Sequence, residues 1–136
     1  MELNLIWKRL EEIENLMILI DTSVWIDHFR NENKLLSSLL MQGAVVMHEF
    51  ILGELAIGNF KNRKAILGLL DSIPKLSKLT HDEFLYFLEK NSFYGKGVGF
   101  IDIHLLGSTK LAGVKIWTLD KRLLELANKQ KSNFEY

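Results

Sequence analysis

The chain contains no cysteine in its 136 residues. That absence excludes disulfides, thiolate metal sites and cysteine nucleophiles, and it suits a reducing compartment. Proline occurs once, at Pro74, so helices are rarely broken from within. No excess of charge of either sign exists, because 17 Lys and Arg balance 17 Asp and Glu. A nucleic-acid partner would have to be held by a local basic patch. Long apolar runs are missing too. A stretch such as Leu16 to Ile20 is a strand's worth, far short of the roughly 20 residues that span a bilayer. The N-terminus mixes Glu2, Lys8, Arg9, Glu11, Glu12 and Glu14 with apolar side chains, unlike a secretory signal. The expectation is one cytoplasmic domain, with no membrane partner, large enough to bury a sizeable core.

Alternating strands and helices fill the rest. Met17 to Asp21 reads as a buried strand ending in a carboxylate, with a helix over Thr22 to Arg30 capped by Thr22 or Ser23. A helix from Lys34 to Met41 closes at Gly43, and Ala44 to Met47 reads as a second strand. Helices follow over His48 to Phe60 and Arg63 to Leu70. Pro74 breaks the chain before a short strand at Leu76 to Leu79. Thr80 and Glu83 stand three residues apart as a capping box for a helix reaching Asn91. After the Gly95/Gly97/Gly99 turn, a helix over Ile101 to Leu111 precedes a strand over Val114 to Leu119, a helix over 121–130 and a tail able to add an edge strand. This pattern predicts an α/β domain with helices on both faces of a mostly parallel sheet of four to five strands.

Residues 1–16 carry Leu3, Ile6, Trp7, Leu10, Ile13 and Leu16 at helical spacing, which predicts an N-terminal amphipathic extension before a domain over 17–136. An added helix and an upstream leader with translation starting at Met17 are both open readings.

Two strand-to-helix corners, at Asp21 and Asp120, aim carboxylates at the C-terminal edge of the sheet, where open α/β sheets place their ligand crevice. Glu54 has Phe50, Ile51 and Ile57 as helical neighbours, and Asp102 has Leu105 and Leu106. A carboxylate on an apolar face needs compensation. Each acid also has a plain explanation: Asp21 and Asp120 as caps, Asp102 as a first-turn acid, Glu54 as partner of a buried base. Four together are harder to dismiss. Clustered carboxylates repel, and a hard divalent ion removes that conflict. Mg²⁺ prefers oxygen ligands, lowers the pKa of bound water and stabilises charge on phosphate, so metal-assisted phosphodiester hydrolysis is expected. Thr22, Ser23 and Thr118 adjoin the acids and are candidates to orient them.

Four segments then resemble one family in order and spacing: Asp21-Thr22-Ser23-Val24-Trp25-Ile26-Asp27, Gly53-Glu54-Leu55, Gly97 through Leu106, and Trp117 through Leu123. They are similar to the PIN-domain ribonucleases, and more narrowly to VapC toxins of toxin–antitoxin pairs. The resemblance implies a three-layer α/β/α domain and an endoribonuclease of a type II toxin–antitoxin system, hydrolysing RNA by a metal-activated water. It further implies Mg²⁺ dependence with Mn²⁺ able to substitute, a VapB-type antitoxin and a homodimer. Asp21, Glu54, Asp102 and Asp120 match the family's acidic positions, with Asp21 and Asp102 the implied direct metal ligands. Asp27 is read as structural. The extension over 1–16 departs from the family pattern.

Lys96 in the glycine turn and Arg122 beside Asp120 are candidate phosphate contacts, with Arg30 and Lys121 held more loosely. The turn lacks the G-K-[ST] ending of a phosphate-binding Walker loop. His28, His48, His81 and His104 raise a metal-free acid–base mechanism, but none adjoins a strand-edge carboxylate in sequence. Two other classes compete: a receiver-like phosphoacceptor domain, disfavoured by the hydroxyl residues after Asp21, and a PIN-like module kept only for protein binding.

Overall fold

A computed structural model describes residues 2–7 and 16–136. Residues 2–7 are helical (α1), and the rest of the expected extension helix lies outside the described residues. The domain then runs β1 (Ile18–Ile20), α2 (Thr22–Arg30), α3 (Lys34–Met41), β2 (Val45–Val46), α4 (Glu49–Ile57), α5 (Arg63–Asp71), α6 (His81–Lys90), α7 (Phe100–Ala112), β3 (Lys115–Trp117) and α8 (Lys121–Lys129). Among the described residues no helix is long and apolar enough to cross a membrane.

The strand order is β2-β1-β3 and both pairings are parallel. Ile18, Leu19 and Ile20 are fully buried, as the centre of a parallel sheet covered on both faces requires. Strand β1 departs to β2 on one side and is joined by β3 on the other. A reversal of this kind is the topological switch point, and it opens a crevice beyond the carboxyl ends of β1 and β3. Helices α2, α4 and α5 pack on one another, while α6 packs on α7 and α7 against β3.

Among the described residues three strands form where four to five were expected. The two missing ones survive as single parallel bridges, Met47 with Lys75 and Ile116 with Asn133. Around Lys75, Pro74 has no N–H to extend the ladder. Two residues further on, the Ser77 carbonyl accepts from Ser108 Oγ at 2.9 Å instead of from a strand. At the other edge, Lys131 holds φ +55°, so the tail turns just before it meets β3.

Local signals explain the helix boundaries. Thr80 and Glu83 form the capping box, with Thr80 N–H donating to Glu83 Oε1 at 2.8 Å and Glu83 N–H to Thr80 Oγ1 at 3.1 Å. Gly113 ends α7 at φ +70°, a left-handed conformation that favours glycine. At the start of α2 the capping position falls to Asp21, not Thr22 or Ser23, and its carboxylate makes no capping bond.

Candidate active site

Asp21 follows β1 directly and is only 6% exposed. Its backbone N–H donates to the Trp117 carbonyl at 2.9 Å, which ties the ends of β1 and β3 together. Thr118 Oγ1 donates to Asp21 Oδ2 at 2.8 Å, and Ser23 Oγ donates to the same oxygen at 2.7 Å. Each hydroxyl is itself oriented. Thr118 Oγ1 accepts from Asp120 N–H at 3.0 Å, and Ser23 Oγ accepts from Leu119 N–H at 3.0 Å. The turn after β3 thus points two hydroxyl protons at one carboxylate oxygen. Among the described residues nothing donates to Oδ1 of Asp21, which stays available for a ligand.

The other acids arrive from three further elements. Asp120 caps α8, its Oδ1 accepting from Leu123 N–H at 2.9 Å, and it is exposed. The plain-cap reading of Asp120 is therefore true of one oxygen. Glu54 projects from α4, where its Oε1 accepts from Thr22 Oγ1 at 3.0 Å. Among the described residues it pairs with no base, and it is exposed, not sunk in an apolar face. Asp102 sits half-buried in the first turn of α7.

The carboxylates lie within electrostatic reach of one another. Burial pushes the Asp102 carboxyl up to about 6, and the negative charges of Asp21, Asp120 and Glu54 push the same way against a hydrogen bond from the Gly99 backbone. Burial also raises the Glu54 carboxyl, with Asp21 adding to it and the Thr22 bond opposing. An acid that feels three others is placed to share a cation with them. The donors are all oxygen and carry enough charge for a hard divalent ion. Among the described residues no three Asp, Glu or His side chains are arranged as a ready-made metal cage. The fit is to an ion held by one or two carboxylates that keeps several waters, as Mg²⁺ usually does.

Lys96 is exposed in the glycine turn. Arg122 is exposed as well, and its Nη1 donates to the Gly97 carbonyl at 2.9 Å. A Cβ at Gly97 would meet that nitrogen at 2.6 Å, and the residue holds φ +75°. Arg122 therefore pins the glycine turn beside Asp102 and keeps its remaining N–H donors for a ligand.

The histidines do not join the acids. His48 is fully buried: its Nδ1 accepts from Phe50 N–H at 3.0 Å, so Nε2 carries the proton and faces Ser108 Oγ at 3.2 Å. Burial, with the neighbouring His104 next in size, lowers its pKa to about 4. His104 stacks on Phe84 at 4.5 Å and 11°, and burial lowers its pKa. His28 Nδ1 accepts from Asn33 N–H at 2.9 Å, and His81 opens α6. Sequence reasoning missed the His48–Ser108–Ser77 relay, since its members lie on three separate segments with no shared spacing.

A parallel sheet with acids gathered at its switch point defines a class, and the comparisons agree. Residues 18–129 match the PIN domain family, and the chain belongs to that family. Over 108 residues it is 42% identical to Ribonuclease VapC32 of Mycobacterium tuberculosis, in strain CDC 1551 / Oshkosh and in strain ATCC 25618 / H37Rv, covering 79% of this chain and 87% of each relative. The fold also matches PAE2754 from Pyrobaculum aerophilum, with TM-score 0.60, 17% identity and coverage of 88% of this chain and 89% of that one. Family membership sets aside the receiver-like alternative.

Proposed function

We propose that this chain is a divalent-metal-dependent endoribonuclease, the toxin of a type II toxin–antitoxin pair, acting in the cytoplasm and restrained by a VapB-type antitoxin. The observation that supports the reading is the Asp21 carboxylate at the sheet's switch point, one oxygen held by Thr118 and Ser23, with Glu54 tied to the neighbouring Thr22. Its likeness to a relative named a ribonuclease supplies the substrate class.

Asp21 and Asp102 would hold Mg²⁺ or Mn²⁺, with Glu54 and Asp120 completing the acidic wall. A bound ion of this kind lowers the pKa of a coordinated water and stabilises charge on a phosphate. The chain's own part is positional. Thr118 and Ser23 fix the rotation of the Asp21 carboxylate by loading one oxygen with two hydrogen bonds. Thr22 steadies Glu54, and the Arg122 contact holds the glycine turn open beside Asp102. Lys96 and Arg122 would contact a phosphate flanking the cut. A homodimer is part of the same reading, as is a single domain over 17–136 preceded by an extension over 1–16.

The test is purified protein with total RNA, in Mg²⁺ or Mn²⁺ against EDTA, followed by mapping of the ends. The expected products carry 5′-phosphate and 3′-hydroxyl groups and vanish in EDTA. Products with 2′,3′-cyclic phosphates, or cleavage indifferent to EDTA, would overturn the mechanism. RNA left intact in both Mg²⁺ and Mn²⁺ would leave the domain as a binding module, and an Asp21→Asn chain that cleaves as well as wild type would remove Asp21 from the site.

A further inference from the structure

Two features on this chain lack a partner, and each has what the other needs. The first is α1. Its apolar residues Leu3, Leu5, Ile6 and Trp7 are 70%, 69%, 55% and 63% exposed, so among the described residues they are left largely uncovered. The second is a cleft of about 790 Å³ between α6, α7 and the end of α8, away from the four acids. Leu79, Phe87 and Leu111 give it an apolar lining. Four lysines, Lys90, Lys110, Lys129 and Lys131, stand around it against Asp82 and Glu83. The cleft therefore carries a local excess of two positive charges on a chain whose net charge is zero.

The charges match. Residues 1–16 hold Glu2, Glu11, Glu12 and Glu14 against Lys8 and Arg9, an excess of two negative charges. Their apolar residues recur at helical spacing, which suits a segment laid along an apolar groove with acids on its flanks. The positions match too. Leu16, where the segment joins the domain, lines a neighbouring hollow with Lys115 and Phe134, and Lys131 borders both that hollow and the cleft. The segment thus leaves the domain beside the cleft, yet within one chain α1 stays uncovered.

We infer that the cleft receives the N-terminal segment of a second copy of this chain. In a two-fold pair each copy lends its acidic apolar segment to the other's basic cleft, so both unpartnered surfaces close at once. An acidic amphipathic segment suits the apolar lining better than RNA does, since a phosphate backbone would leave Leu79, Phe87 and Leu111 unused. The inference does not rest on the nuclease reading, and RNA cleavage can stand or fall without it.

Because the chain has no cysteine, paired cysteines report the contact cleanly. Trp7→Cys chains are mixed with Tyr86→Cys chains under mild oxidation, with Met41→Cys replacing Tyr86→Cys as the control. Tyr86 borders the cleft, and all three side chains are exposed, so folding should survive. The expected result is a covalent mixed dimer at several-fold the control yield. Equal yields would overturn the inference. So would a Trp7→Cys/Tyr86→Cys chain that closes on itself at high dilution faster than chains join, because the segment would then dock on its own domain. In a second arm, light scattering over a dilution series compares the full chain with Lys129→Glu/Lys131→Glu. Self-association should weaken at least ten-fold at low salt and recover when Glu11→Lys/Glu12→Lys is added. Unchanged association would overturn the inference even if the chain dimerises through another face, and so would a chain that stays monomeric throughout.

Discussion

The acid crevice and the buried histidine relay hold their titratable groups in opposite ways. At the crevice, carboxylates stand together, and Asp102 is raised to about 6 first by burial and then by the negative charges of Asp21, Asp120 and Glu54. At the relay, His48 is sealed from water and both ring nitrogens are engaged, so its neutral form is the one the fold accepts. The first region gives up stability to keep a charged site open. The second closes a polar chain from α4 through α7 to the segment after Pro74, and neutral pH favours it. What separates them is satisfaction of polar groups: complete at His48, deliberately incomplete at Asp21 Oδ1.

The largest effect expected concerns activity. Asp21→Asn should lower RNA cleavage by more than about 100-fold, while Thr118→Val, which removes one of two orienting hydroxyls, should cost roughly 10-fold to 100-fold. Steady-state cleavage at fixed Mg²⁺ measures both. Equal losses would mean that Thr118 is more than a positioning group. His48→Gln, in contrast, should leave the cleavage rate of the folded fraction near wild type.

Stability comes next. Ser108→Ala removes the hydroxyl facing His48 Nε2 and leaves a buried N–H unpaired, so unfolding free energy should fall by about 1–3 kcal/mol. Gly107→Ala should cost a similar amount, because a Cβ there collides with Leu79 Cδ1 and meets Phe87 Cδ1 at 3.3 Å. Urea titrations decide both.

The pH dependence should separate the two regions by sign. Between pH 6.5 and about 4 unfolded His48 binds a proton and folded His48 does not. Stability from His48 is therefore full above 6.5 and is lost as pH falls through that window, by roughly 3 kcal/mol at most. Between pH 3.8 and about 6 the opposite holds for Asp102, where the folded form keeps the proton. Its contribution is favourable at low pH and is lost as pH rises. Unfolding in EDTA from pH 4 to 8 should show both slopes. Asp102→Asn should abolish only the second.

The smallest effect is also the sharpest. Without divalent ions at pH 7, Asp102→Asn should be more stable than wild type by about 1–2 kcal/mol, a figure discounted because the group is half-buried. Adding Mg²⁺ should raise the Tm of wild type more than that of the variant. A destabilised variant would mean that the acids do not crowd one another as the charges indicate.

Much of this was legible in advance, for physical reasons that particular residues show. Thr80 and Glu83 capped α6 as their spacing required, because a capping box involves only four consecutive residues. The helix over Thr22–Arg30 and the strand before it followed from local periodicity. Asp21 and Asp120 stood out as acids closing a strand, and Glu54 and Asp102 as acids among apolar helical neighbours, although Glu54 proves to be exposed. The strand count was not legible, since Pro74, Lys131 and the Ser77 carbonyl limit pairing only once the neighbouring strands are in place. Nor was the role of His48, which looked like one of four scattered histidines until Ser108 met it 60 residues away.

By itself the order of residues determined the α/β alternation, the helix ends and the identity of the acids, because those depend on neighbours within a turn or two. Tertiary structure alone decided that Thr118 and Ser23 share one oxygen of Asp21, that Arg122 rests on Gly97, and that a basic cleft opens beside the exit of an acidic segment. Those contacts join residues far apart in the chain, and hydrogen bonds and charges act through distance in space, which sequence spacing does not encode.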